Sequence, residues 1–405
     1  MKKTLTLQYV LQQIAFWAAA AGIVSFATAF LLEKGFSASF IGILLASGNL
    51  LSCMFQPILA ARADRMGGNS LKWLIIGMTI FSICCFLSTV LFDLPQKMMG
   101  LLYLLGIFSF DTMNPLNNAI CVMYMDNGYR INYGMGRGIG SFSFSLSALL
   151  IGKVMAKYGA DWMIWISVAI LMFNILFTLR FPNIQVEAQA KKAAAECCSI
   201  AVFFQRYRLY CLSLLGIMML AMFHAMSENY LIEIVAPLGG DSGSVGVALF
   251  IATAIGMPVM VFFDKIRERI SDNWLLKLSG VFFLLKAVLF FMAKSVTAIY
   301  VIQTMQTITY CLLAPTQMYY ANSKIDAADM VKGQAFITAS YTLGCALGNF
   351  IGGQLIEPFS VTALLIAGIG MTVIGTGILF AMVDRKDEYT KRAADSKGAR
   401  PFSEV

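Results

Sequence analysis

The sequence predicts an all-α membrane protein built from two pseudo-symmetric six-helix bundles. Three observations predict this fold class: an apolar composition, twelve apolar runs long enough to cross a bilayer, and a weak internal repeat. Of the 405 residues, 59% are hydrophobic and only 13% are charged, whereas soluble domains carry about 25% charged residues. A water-soluble fold could not bury this much apolar surface, so lipid is expected to cover part of it.

The apolar runs predict twelve transmembrane helices, because about 20 mostly apolar residues span a bilayer. The runs lie near residues 9–32, 40–61, 73–94, 98–122, 135–156, 162–179, 209–232, 245–263, 274–293, 299–320, 335–356 and 361–383. The first run follows Lys2 and Lys3, as the apolar part of a signal peptide would. It is too long for a signal peptide, so it is predicted to be an uncleaved first helix.

The longest polar stretch, residues 182–208, separates the sixth run from the seventh. It predicts an N-terminal bundle over residues 1–181 and a C-terminal bundle over residues 209–385. The stretch itself would be a cytoplasmic linker, and residues 386–405 would form a cytoplasmic tail.

The positive charges predict the orientation in the membrane. With the N-terminus in the cytoplasm, 24 of the 30 Lys and Arg fall on the cytoplasmic side and five fall outside. Cytoplasmic loops carry such an excess, so both termini are predicted to be cytoplasmic in a multi-pass protein of the bacterial inner (plasma) membrane. Because the charges occupy short gaps between apolar runs, the net charge of +8 indicates topology and not binding to nucleic acid.

Five pairs of similar residues recur at an offset of about 200 positions. They are Pro57 with Pro258, Asp64-Arg65 with Asp264-Lys265, Trp73 with Trp274, Pro115 with Pro315, and Ser141 with Ser340. Six helices in each half give both copies the same orientation. Parallel repeats with a site between them at mid-membrane are a design found in transporters.

The segment after the second run, residues 60–67, has the sequence A-A-R-A-D-R-M-G. It resembles the G-x-x-x-D-R-x-G signature of the major facilitator superfamily, with Ala60 in place of the first Gly and without the trailing basic pair. The resemblance implies the major facilitator fold. It also implies a gate contact at Asp64, Arg65 and Gly67, in which the carboxylate lies near a helix N-terminus and is favoured by its dipole. The alternative is a turn with basic membrane anchors.

Residues 31–42, 133–141 and 331–335 resemble a narrower group, the lactose permease-like and nucleoside-proton-symporter-like branch. This resemblance covers the first outer loop and the starts of helices five and eleven. It implies that Arg137 binds hydroxyl groups of a substrate. It also implies that Phe144, in the place of a stacking tryptophan, packs on a sugar ring.

The chain departs from that branch at two places that matter for function. Asn118 stands where relatives often carry an acid in helix four. The His and Glu pair of helix ten, which couples protons in lactose permease, is absent. These departures argue against lactose as the substrate and against that proton relay.

Charged residues within membrane spans are costly, so each is a candidate for function. Asp111 lies near the middle of helix four, and Asn114 and Asn118 follow at i+3 and i+7 on the same face. This stripe suits the wall of a wet cavity that binds substrate, and Asp111 is also a candidate for proton coupling. The alternative is a buried structural hydrogen bond.

Helix seven carries a second candidate for proton coupling. His224 and Glu228 lie one turn apart and could share a proton; the alternative is polarity at an interface. Lys286 in helix nine could pair with Glu228, or its long stem could carry the ammonium group to the membrane surface.

Uncharged polar residues complete the predicted substrate site. Helix ten carries Gln303, Gln306 and Tyr310, which helical spacing places on one face together with other polar residues. Helix one carries Gln13 and Trp17, whose ring could stack on a substrate or pack between helices. Amides and a phenol suit a substrate rich in hydroxyl or amide groups.

These features together predict a secondary transporter of a small polar solute, such as an oligosaccharide or nucleoside, that works by alternating access and proton symport. The alternatives are a proton-driven exporter of amphipathic drugs, which an aromatic and acid-dotted cavity would favour, and a non-transporting receptor or scaffold, which would normally add a soluble domain. No nucleotide-binding or catalytic signature is present, so neither an enzyme nor an ATP-driven pump is expected.

The expected partners are a small-molecule substrate, protons and the lipid bilayer, with no cofactor or metal. A monomer is plausible, and the sequence leaves the oligomeric state open.

Overall fold

The computed structural model describes residues 4–66, 68–183, 200–326 and 329–384, and these form an all-α structure. The helices are α1 (Thr6–Ile23), α2 (Ala27–Glu33), α3 (Ala38–Met66), α4 (Gly68–Leu91), α5 (Gln96–Asp126), α6 (Tyr133–Tyr158), α7 (Asp161–Leu179), α8 (Ile200–Arg206), α9 (Arg208–Asn229), α10 (Leu231–Val235), α11 (Ser242–Val261), α12 (Phe263–Arg267), α13 (Asp272–Met292), α14 (Val296–Gln303), α15 (Tyr310–Lys324), α16 (Met330–Phe359) and α17 (Val361–Met382). Two short 3-10 helices cover Ala236–Leu238 and Thr304–Thr307.

The helices are long and apolar enough for a multi-pass membrane protein. Within the described residues, ten helical segments could cross a bilayer, and the bent pair α1 and α2 would be an eleventh. The 31-residue α5 is long enough for a twelfth, but the acid and amides in its middle lower its hydropathy. The predicted count of twelve spans therefore stays a prediction.

Apolar side chains lie on both the inside and the outside of the structure. A continuous core joins buried rings such as Phe30, Phe86 and Tyr103. Large apolar side chains such as Phe173 and Ile366 are more than half exposed. An outer surface of this kind is suited to lipid, because soluble proteins rarely expose large apolar patches.

Two helix pairs join the N-terminal bundle to the C-terminal bundle through glycines. In the pair α6 and α11, a Cβ atom on Gly246 would lie 2.6 Å from the carbonyl oxygen of Ala148. In the pair α3 and α16, a Cβ atom on Gly353 would lie 2.4 Å from the carbonyl oxygen of Ala38. Only glycine permits backbones to approach this closely, as in other small-residue interfaces between membrane helices.

These contacts lie at one end of the molecule, opposite the start of α1. The hydroxyl of Ser39 donates to the carbonyl of Gly353, and Gln354 donates to the carbonyl of Ser39, each at 3.3 Å. Nearer the start of α6, a Cβ atom on Gly138 would meet only the tip of the Met257 side chain of α11, at 3.6 Å. In the predicted orientation, these close contacts between the bundles lie toward the outer side of the membrane.

Two of the predicted spans contain a break in the helix. The first span bends by 41° between α1 and α2. The tenth span changes from α14 to a 3-10 turn and restarts at α15, with Thr309 at φ −98° and ψ −95°. Neither break contains Gly or Pro, the residues that usually mark an interruption. By contrast, Pro115, Pro258 and Pro315 lie inside helices that continue past them.

The predicted domain boundaries remain a proposal. Residues 184–199 of the predicted linker and residues 385–405 at the C-terminus lie outside the described residues. The described part of the linker contains α8, which packs on α16 through Phe203, Phe204 and Phe336.

The predicted topology can be tested by labelling single cysteines. A cysteine in place of Lys191, in a chain without its native cysteines, is expected to react with an impermeant maleimide only from the cytoplasmic side. A cysteine in place of Lys97, at the start of α5, is the matched control and should react only from outside. Labelling of position 191 from outside would contradict the predicted orientation. Lys191 lies outside the described residues. The experiment therefore tests on which side of the membrane the linker lies and not its structure.

Candidate functional site

Trp17, Gln13 and Arg137 form one cluster on the inner wall of the N-terminal bundle. The indole Nε1 of Trp17 donates to Oε1 of Gln13 at 3.0 Å. The guanidinium of Arg137 lies over the Trp17 ring, 4.5 Å from its centroid. The sequence-predicted residues of helices one and five are therefore brought together, and cation–π attraction orients the arginine.

The packing of α1 on α6 holds this cluster in place. A Cβ atom on Gly140 would lie 2.7 Å from the Trp17 ring, and one on Gly136 would lie 2.5 Å from the ring of Tyr9. The two glycines on either side of Arg137 therefore let α1 lie directly against α6. The arginine reaches the Trp17 face because its own helix carries no side chain at those two positions.

The predicted polar stripe of α5 is present, but its members differ in their contacts. Asp111, Asn114 and Asn118 are all partly accessible. Asn118 accepts a hydrogen bond of 3.5 Å from the hydroxyl of Tyr133. The Asp111 carboxylate makes no hydrogen bond or ion pair within the described part of the chain, although Gln56 of α3 donates to the backbone carbonyl of Asp111. Asp111 is thus a carboxylate in the middle of a membrane helix that has no partner in the part of the chain that the structure describes.

Asn117, and not Asn118, forms the buried structural hydrogen bond of α5. Nε2 of Gln12 donates to Oδ1 of Asn117 at 3.2 Å and to the hydroxyl of Thr178 at 3.0 Å. Asn174 donates to the backbone carbonyl of Gln12. The network joins α1, α5 and α7. Sequence reasoning missed it, although polar residues in three apolar runs were a signal.

In the C-terminal bundle, Lys286 lies at the centre of a buried polar group. Its side chain is fully buried. Its Nζ lies 3.4 Å from Oε1 of Glu228 and 2.6 Å from Oε1 of Gln306. The snorkelling alternative is therefore wrong, because the ammonium group points into the protein, where Glu228 and Gln306 both contact it.

His224 forms part of an aromatic group one turn before Glu228. Its ring stacks on Tyr310 with centroids 4.7 Å apart and planes 5° apart, and Tyr341 lies beside both rings. The Nδ1 atom of His224 is buried without a hydrogen-bond partner among the described residues. Tyr341 was not predicted as a site residue, and only packing of α16 against α9 brings it here.

The break in helix ten changes the polar face that spacing predicted. Gln303 and Gln306 are buried, whereas Tyr310 is partly accessible. One helical face cannot connect them, since residues 304–309 are not α-helical, and that prediction was wrong. Both amide atoms of Gln303 lack partners within the described residues, so its amide is free for another ligand or conformation.

The remaining predicted site residues are Phe144 and the three gate residues. Phe144 packs against the main apolar core, and no contact tests its predicted stacking on a sugar. Asp64 and Arg65 lie in the last turn of α3, and Gly67 lies outside the described residues. The gate role of these three residues stays a prediction. No three metal-ligating side chains cluster in the described part of the chain.

The arrangement places hydrogen-bonding and aromatic side chains in the same structure as buried charged groups. Arg137, Trp17 and Tyr310 offer donors and ring faces to a polar molecule. Asp111 and the pair of Glu228 with Lys286 are titratable groups at membrane depth, which is where proton relays occur in transport proteins.

Comparison with known proteins identifies the fold and the family. The "Uncharacterized transporter YwbF" of Bacillus subtilis (strain 168) is 24% identical over 374 residues, with 88% of each chain covered. The crystal structure of the nucleoside transporter NupG has the same fold, with a TM-score of 0.76 at 15% identity, covering 94% of this chain and all of that one. The POT family transporter PepTSo matches with a TM-score of 0.71 at 12% identity, covering 96% of this chain and 98% of that one. Residues 7–367 match the model of the MFS_1 like family. The chain is therefore a member of that family, a transporter of the major facilitator superfamily and not an enzyme.

Proposed function

We propose that this transporter moves a small polar metabolite across the bacterial inner membrane by alternating access, in symport with protons. The observation that carries the proposal is the buried group of Lys286, Glu228 and Gln306, with its ion pair of 3.4 Å. A charge costs about 2.5–3.5 kcal/mol at the centre of a membrane helix. Two buried charges contribute little to helix stability for this cost, whereas a buried carboxylate with a basic partner can take up and release a proton.

The position of the closed end supports alternating access. The bundles meet at one end through close backbone contacts at Gly246 and Gly353. Rocking of one bundle about the central groups would open the glycine contacts and close the opposite end, which is how repeated bundles expose one site to two sides in turn. Between the bundles, Arg137, Trp17 and Tyr310 would contact the substrate.

Uptake into proteoliposomes tests the proposal. The purified protein is supplied with a panel of oligosaccharides, nucleosides, related metabolites and amphipathic dyes, with and without an inward proton gradient. Accumulation of a polar metabolite only with the gradient is the expected result. Extrusion of dyes against the gradient would instead support a drug exporter, and binding without net movement would support a receptor.

The role of Arg137 can be tested by a conservative change. Arg137→Lys is expected to reduce transport at least roughly tenfold, because a hydrogen bond to a charged group is worth about 1.5–3 kcal/mol and Lys cannot reproduce a planar pair of donors. Lysine would also lose the stacked position over Trp17. Uptake rates in proteoliposomes give the measurement, with Lys153→Arg, an exposed position on the same helix, as the control. Unchanged transport would leave Arg137 as a topology charge at the start of α6.

A further inference from the structure

Two hydrogen-bond donors on the N-terminal wall have no acceptor within the described residues. The Gln13 side chain is almost fully buried, at 1% exposure. Its Oε1 accepts from Trp17, which leaves its Nε2 without a partner. The Nη1 of Arg137 is also buried without a partner. Because an unsatisfied buried group costs about 1–3 kcal/mol, a ligand that supplies acceptors here would relieve both donors.

The positive charge of Arg137 is not neutralised by the protein. Among the described residues no carboxylate lies within the 4.0 Å of an ion pair with it. Glu228 is paired with Lys286, and Asp111 makes no ion pair with any described base. Asn118 is an amide bonded to Tyr133. Within the described residues, Arg137 therefore has no counter-charge.

The missing counter-charge of Arg137 would become costly when the two bundles close around a substrate. In the present conformation Arg137 is partly accessible, so water can solvate it. When the bundles close around a bound substrate, that water is excluded, and an unpaired buried charge costs several kcal/mol. A substrate that carries its own negative charge removes this cost, whereas a neutral sugar or nucleoside does not.

Building on the proposed function, we propose that the substrate is a small polar organic acid whose carboxylate binds Arg137 and Gln13. The guanidinium fork matches a carboxylate through two parallel hydrogen bonds. The Trp17 ring lies under the guanidinium, and its Nε1 donates to Oε1 of Gln13. The same indole therefore links Arg137 to the amide whose Nε2 has no partner among the described residues.

Matched pairs of probes test the inference without any proton gradient. The full chain in detergent is titrated with D-glucuronate against D-glucose, D-galacturonate against D-galactose, and orotate against uracil, while thermal unfolding is followed. At least one acid is expected to raise the Tm and to bind at least about tenfold more tightly than its neutral partner, a difference of about 1.4 kcal/mol. Arg137→Gln should abolish this difference, and Lys153→Gln, an exposed charge change on the same helix, should leave it intact.

A second variant keeps the arginine in case Arg137→Gln does not fold. Gln13→Met should weaken binding of the acid by roughly two- to tenfold, the value of one hydrogen bond. Three results would overturn the inference. The neutral partners bind as tightly as the acids, the preference for the acid survives in Arg137→Gln, or none of the three acids binds. The proposed function fails separately, if an acid that binds in detergent is not accumulated in proteoliposomes under a proton gradient.

Discussion

Asp111→Asn and Glu228→Gln are each expected to abolish accumulation of substrate driven by a pH gradient. A symporter needs a group whose protonation differs between the two open states. These two carboxylates lie within long apolar helices, where ionisable residues are rare and costly. The uncharged amides of helix ten cannot carry a proton in this way. Accumulation ratios in proteoliposomes, with and without the gradient, give the measurement.

Counterflow exchange separates loss of coupling from loss of the site. Exchange needs binding and rocking but no net movement of protons, so at least one of the two variants should keep it. Asp111→Asn removes no ion pair within the described residues and should fold normally. Asp93→Asn, an exposed carboxylate in the loop between α4 and α5, is the matched control and should behave as the wild type.

Glu228→Gln needs its own folding control, because it leaves Lys286 buried without a counter-charge. Breaking one side of a buried pair costs about 3–5 kcal/mol. The double variant Glu228→Gln with Lys286→Met removes both charges and should recover stability without recovering accumulation. If Asp111→Asn and Glu228→Gln both accumulate substrate up a pH gradient, these carboxylates are structural, and the protein is a uniporter or is coupled through His224 or another ion.

Gly353→Val and Gly246→Val are expected to eliminate almost all transport, the second large effect. A Cβ atom on Gly353 would lie 2.4 Å from the carbonyl oxygen of Ala38, and one on Gly246 would lie 2.6 Å from that of Ala148. Both distances are far shorter than a carbon–oxygen contact, and the obstructing atoms are backbone. The outer end could then close only if a whole helix moved, so the conformations open on this side should be favoured.

Two measurements distinguish blocked closure from misfolding. Transport should fall to near background, while a cysteine in place of Asn114 on the cavity wall should react faster with an impermeant maleimide added from outside. Gly77→Val is the control, because a Cβ atom there meets nothing within 4 Å. Wild-type transport in both variants, with no faster labelling, would show that this end need not close through the glycines.

The parts of the fold that depend on composition and periodicity could be predicted. Apolar runs predicted helices because every backbone donor and acceptor must be satisfied inside the bilayer. The two interrupted spans could not be predicted this way, since residues 24–26 and 304–309 are as apolar or neutral as their neighbours and contain no Gly or Pro. Packing of the surrounding helices sets those bends.

The candidate site could be predicted only in part, because packing between helices decides which side chains meet. Spacing along one helix placed Glu228 next to His224, and the charge of Lys286 suggested it as a partner of Glu228. The sequence could not decide whether Lys286 pairs with Glu228 or extends to the membrane surface. It also favoured Asn118 over Asn117, because which of two adjacent amides faces Gln12 depends on the rotation of α5 against α1. The unsatisfied amide of Gln303 appears only once the break in helix ten is known.

The sequence by itself determined the class of this protein, because hydrophobicity, charge asymmetry and a repeat of helices are properties of the chain. It also supplied the residues that stay the best candidates for function, since an ionisable group in an apolar run is visible without a fold. Only the tertiary structure decided which of these groups meet: Arg137 with Trp17 and Gln13, Lys286 with Glu228 and Gln306, and His224 with Tyr310. The physical reason is that these contacts join helices distant in sequence, and their distances depend on helix rotation and on the close approach that glycines allow.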